Sequence, residues 1–142
     1  MKNQLLFLFL IFTSISYSQT WNLIGSTKEA KLIKNGTGLY VLKYKSEYGI
    51  IYTAKITRQR REEGNFPKNL GEGGFLGFFK MLGPSQEEES VSAVYEFCKT
   101  DDPDYDIIIM WANITYNYEY KFKGVVSRVD VFGELVDTWF IK

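Results

Sequence analysis

The chain has 142 residues, 17 basic and 17 acidic side chains, one cysteine and no histidine. Balanced charge gives no basic surplus to drive binding to nucleic acid or anionic lipid, and a single Cys98 excludes an internal disulfide. Without histidine the usual general base, the usual zinc ligand and every Ser-His or Cys-His nucleophile pair are missing.

In chain order the first feature is residues 1–18. Lys2 supplies a positive start, residues 5–12 form an unbroken apolar run, and Thr13, Ser14, Ser16 and Ser18 follow. That is the layout of a secretory signal peptide cleaved before Gln19. The run falls far short of the roughly 20 apolar residues a spanning helix needs. The leader resembles those of Gram-negative exported proteins that are cut before a glutamine, which implies a periplasmic or extracellular location. No later segment is apolar enough to span a membrane, and residues 19–142 read as one domain.

Asn35-Gly36 lies between two apolar segments and signals a hairpin turn. Tyr40, Leu42 and Tyr44 then share one face, and Tyr48, Ile50, Tyr52, Ala54 and Ile56 continue the alternation. Residues 30–58 therefore predict a three-stranded antiparallel meander. Residues 58–69 carry Arg58, Arg60 and Arg61 but also Glu62 and Glu63, and read as a solvated loop or strand end.

Residues 71–83, GEGGFLGFFKMLG, set phenylalanines among glycines. Phe75, Phe78, Phe79 and Leu82 recur at helical spacing and predict a short helix over 75–82, weakened by Gly77. Three roles fit: core cover over a sheet, a flap over an apolar ligand, or a loop touching a membrane. Ser85-Gln86-Glu87-Glu88 fits a capping box, and Val91, Val94, Tyr95 and Cys98 follow at helical spacing. They predict a helix over 86–99 with Cys98 on its buried face; a strand through Val91, Ala93, Tyr95 and Phe97 is the alternative.

From Ile108 to Phe122 apolar and aromatic residues occupy every even position, predicting one long strand or a strand pair over 106–123. Ser127-Arg128-Val129-Asp130 offers a second capping box, and Phe132, Leu135, Val136, Trp139 and Phe140 predict a helix over 128–141. The strand reading of that segment is interrupted by Asp137. The expected fold is α+β: an antiparallel sheet of five to six strands with three helices on one face. A mostly-β sandwich or barrel is the alternative.

Chemistry-bearing motifs are few. Asp102, Asp104 and Asp106 have calcium-loop spacing but lack the following glycine and the closing acid, so no metal or other cofactor is expected. Trp111 with Tyr116, Tyr118 and Tyr120 suggests an aromatic surface, which together with Phe75, Phe78 and Phe79 defines a candidate ligand site. The leading functional expectation is an exported, non-enzymatic module that binds another exported or envelope protein. A small apolar-ligand binder gated by 71–83 is the alternative, followed by a carboxylate-based hydrolase.

Overall fold

Strand alternation, not helical spacing, governs the described residues. The computed structural model describes residues 18–70 and 89–142. They form nine strands: β1 Gln19–Gly25, β2 Lys28–Gly36, β3 Leu39–Lys45, β4 Ile51–Pro67, β5 Asn69–Leu70, β6 Ser90–Thr100, β7 Tyr105–Tyr116, β8 Tyr120–Asp130 and β9 Leu135–Ile141. Eight of them pair antiparallel with their sequence neighbours, and β9 returns to β1 through Leu23↔Ile141, Ile24↔Phe140 and Gly25↔Trp139. The result is a closed up-and-down β-barrel. Short β5 stands apart and pairs parallel with the end of β7.

This corrects the α+β expectation, because no helix occurs among the described residues. The helix expected over 86–99 is β6 from Ser90 onward, and that expected over 128–141 is the β8–β9 hairpin. The barrel alternative is the one that fits. The leader over 1–18, up to residue 17, and the helix over 75–82 lie outside the described residues, as do residues 86–88.

Two apolar clusters blur the strand pattern in the sequence. Inside the barrel sit Leu32, Leu42, Ile56, Ile107, Ile109 and Trp139, all essentially without solvent contact. The opposite faces of β6 to β9 are also covered. Tyr95, Met110, Ala112, Val125 and Phe140 pack there with Phe66 and Leu70. A strand buried on both faces loses its polar positions, so its period of two disappears. On β2 to β4 the outer face stays wet: Lys31, Lys43 and Lys55 are exposed. On those three strands an apolar inner face under a charged outer face inverts the pattern of a membrane-spanning barrel. No helix of the described residues is long and apolar enough to cross a membrane.

The turns follow local chemistry. The hairpin expected at Asn35-Gly36 closes two residues later, at Thr37-Gly38. Gly36 pairs with Leu39, and Gly38 takes a φ of 69°. Between β7 and β8, Asn117 and Tyr118 both adopt left-handed backbone, with φ of 49° and 60°. Asn69 holds this turn, its Oδ1 accepting from Tyr118 N at 2.8 Å and Thr115 Oγ1 at 3.0 Å. The long even-position stripe therefore folds back on itself. Tyr116 pairs with Tyr120 across the ladder and Tyr118 stands alone at the tip.

Candidate functional site

Meander topology gathers four hairpin turns at one end of the barrel: 26–27, 46–50, 101–104 and 131–134. Side-chain acceptors shape three of them. Ser46 Oγ accepts from Ile50 N, Asp102 Oδ1 from Asp104 N, and Asp130 Oδ1 from both Phe132 N and Glu134 N. Three of these turns, 26–27, 46–50 and 101–104, help line a cavity of about 670 Å³.

Its floor is an ion pair between Arg128 and Asp137, opposite each other in the β8–β9 register. Arg128 donates to Tyr44 Oη at 3.0 Å, and its guanidinium lies over the Tyr44 ring at 5.5 Å and the Tyr105 ring at 4.5 Å. Such a cation between aromatic faces is held in place electrostatically. Its Nε–H is buried and has no partner among the described residues. Tyr52 extends the wall, its ring 5.2 Å from that of Tyr44. Burial pushes the Tyr44 phenol above its ordinary range, against the pull of Arg128. The rim is Ser26, Thr27, Lys28, Ser46, Glu47 and Asp102. Every side chain lining this cavity carries a polar group, so it is built for hydrogen bonding and not for a purely apolar guest.

The opposite end is organised around Glu96, which β6 points into the barrel at 3% exposure. Its Oε2 accepts from Tyr40 Oη and from Trp111 Nε1, each at 2.6 Å, and its Oε1 from Arg58 at 3.0 Å. Charge-assisted bonds from three donors are what a carboxylate needs to stay inside a barrel. Trp21 packs on Trp111 with ring centres 4.9 Å apart. Around them is a smaller cavity of about 320 Å³.

Cys98 lies below this cluster, its Sγ donating to Glu96 O at 3.5 Å. Burial first, and the Glu96 carboxylate second, push the thiol up to about 12, with Arg58 opposing. The folded chain thus holds this proton above pH 9, where the unfolded chain releases it, and stability falls as pH rises through that window. The slope is at most about 1.4 kcal/mol per pH unit. Between about pH 8 and pH 10.5, Cys98→Ala is expected to lose roughly 2 kcal/mol less stability than the parent. Urea denaturation at the two pH values measures this, and equal losses would contradict it.

The sequence-predicted residues do not converge. Trp111 faces the barrel interior, Tyr116 packs on Phe140 on the outer side, and Tyr118 and Tyr120 are exposed. Phe75, Phe78 and Phe79 lie outside the described residues. Asp102 and Asp104 share a turn, whereas Asp106 is paired with Lys99 at 3.0 Å. Among the described residues no three His, Cys, Asp or Glu side chains come together to hold a metal.

No family model, curated protein or solved structure matches this chain. The fold itself is compatible with small-ligand binding, since an eight-stranded barrel is just wide enough to be filled by side chains or to hold one small guest. Here side chains fill the middle, which leaves the two mouths. The two acids that pair with arginines inside the barrel, Glu96 and Asp137, belong to different mouths.

Proposed function

We propose that this is an exported small-ligand-binding barrel whose site is the mouth ringed by the four hairpin turns. The observation that carries this reading is the cavity of about 670 Å³ over the Arg128–Asp137 floor. Its size lies in the range of small-molecule sites, roughly 300–1,000 Å³. The tyrosine rings offer flat surfaces for the apolar face of a guest, while the rim hydroxyls and the rim carboxylates read its polar groups. The guest is therefore a small, hydrogen-bonding molecule, in place of the apolar ligand expected from residues 71–83.

A protein-interaction role finds support at the same rim. Tyr48 and Phe132 stand exposed on the tips of two turns, at 83% and 86%, and Ile51 at the start of β4, at 70%. A partner seated on those tips would cover the mouth, so the two roles share one end of the molecule.

Screening small polar compounds by ligand-observed NMR tests the ligand reading. Tyr52→Ala removes one wall and is expected to weaken the hits roughly tenfold while lowering stability by about 1 kcal/mol, the scale of one aromatic pair. Hits that Tyr52→Ala leaves unchanged would place binding elsewhere and defeat the proposal.

A further inference from the structure

We propose that the opposite mouth is a second, independent site, selective for a small organic anion that carries a flat ring. Lys34, Arg58, Arg61 and Glu96 are the charged residues lining that cavity. Glu96 is fully engaged, both oxygens accepting from Tyr40, Trp111 and Arg58. Arg61 shares its charge with Glu63 in an exposed pair. Neither Lys34 Nζ nor Trp21 Nε1 makes a hydrogen bond or ion pair among the described residues. Among the described residues donors are left over, and no carboxylate is. A carboxylate or sulfonate supplies the missing acceptors, and guanidinium and ammonium groups are its natural partners.

The ring follows from the walls. Trp111 has given its N–H to Glu96, so its ring is what it offers a ligand. Trp21 and Tyr40 flank that ring, with centres 4.9 and 6.5 Å away. Flat aromatic surfaces beside cations suit a ligand with an aromatic face and an acidic head. The four-turn mouth differs in sign: Glu47, Asp102 and Asp137 outnumber Lys28 and Arg128 there. An anion is thus directed to the Glu96 end and away from the other.

The test uses 8-anilinonaphthalene-1-sulfonate as the anionic probe and N-phenyl-1-naphthylamine as its uncharged counterpart, in fluorescence titrations of the folded protein. The sulfonate is expected to bind, to be lit by energy transfer from tryptophan, and to weaken as salt is raised to about 0.5 M. Lys34→Glu is expected to weaken it roughly tenfold, and Arg61→Gln, on the exposed flank, roughly threefold. Phe132→Ser, at the other mouth, is expected to leave it unchanged. The proposal is overturned if the sulfonate does not bind or if the amine binds as tightly. It is also overturned if Lys34→Glu and Arg61→Gln both leave affinity unaltered, or if Phe132→Ser abolishes binding. Tyr52→Ala reads the four-turn mouth separately, so the two sites stand or fall apart.

Discussion

Glu96→Ala is expected to destabilise the barrel by about 3–5 kcal/mol, the range for removing one member of a buried ion pair. The loss has three parts. Tyr40 Oη and Trp111 Nε1 both lose their acceptor inside the protein, and each unsatisfied buried donor costs roughly 1–3 kcal/mol. Arg58 loses its counter-charge but keeps 27% of its side chain in water, so its share is the smallest. Urea denaturation followed by tryptophan fluorescence measures the total. Glu96→Gln should lose about half as much, because an amide oxygen still accepts from Tyr40 and Trp111 while the charge opposite Arg58 is gone. The double variant Glu96→Leu/Arg58→Leu should be more stable than Glu96→Ala, since it leaves no orphaned charge. An alanine variant within about 1 kcal/mol of the parent would mean that water replaces the carboxylate, and the cluster would then be an adornment of the mouth and not a structural anchor.

The strands β2, β3 and the start of β4 were legible because only one of their faces is buried. Tyr40, Leu42 and Tyr44 turn inward while Lys43 stays in water, and that contrast survives in the sequence. On β6 it does not. Val91, Val94, Tyr95 and Cys98 suit a helix only because apolar residues stand on both faces of the strand: Cys98 faces the interior, while Tyr95 belongs to the outer cluster. The segment 128–141 misled for a second reason. Asp130 does act as a backbone cap, but its oxygen serves the amides of a hairpin turn, and Gly133 at φ 77° completes that turn. Short polar caps are chemically the same at a helix start and at a turn. Phe132, counted as part of an apolar helical face, is the exposed tip.

The sites were less legible than the fold. Asp137, which interrupts the apolar alternation over 128–141, is the inward partner of Arg128, and the two are cross-strand neighbours. Arg58, assigned to a solvated loop, reaches Glu96 across 38 residues of sequence. Pairings of that kind are fixed by barrel closure, which no local pattern encodes. One signal was available. Glu96 is a lone acid within Val94-Tyr95-Glu96-Phe97-Cys98, and a charge inside an apolar strand must find a partner or not be buried. The tyrosines failed as a site because the left-handed pair Asn117 and Tyr118 reverses the chain in the middle of their stripe.

Gly124→Ala is expected to cost about 3 kcal/mol or more, although it adds only one methyl group. A Cβ there would lie 2.0 Å from Met110 O and 3.1 Å from Trp111 Cα, and the backbone φ is +157°. Those are backbone atoms of the paired strand, so no rotamer change relieves the clash. Gly124 pairs with Trp111 on one side and Ile141 on the other, immediately before the register shift between Trp111 and Ile114. Glycine lets β7 and β8 close up at that irregularity. Forcing them apart would displace Trp111, and with it the donor to Glu96 and the ring beside Trp21. The variant should therefore unfold at lower urea and shift its tryptophan emission to the red while still folded. Gly133→Ala is the control. That glycine also has positive φ, but a Cβ meets nothing within 4 Å, so only the dihedral cost of roughly 1–2 kcal/mol applies. If the two variants lose the same stability, strand contact at Gly124 adds nothing beyond backbone strain. A larger loss at Gly124, accompanied by the emission shift, ties the closure of the β7–β8 ladder to the shape of the Glu96 mouth.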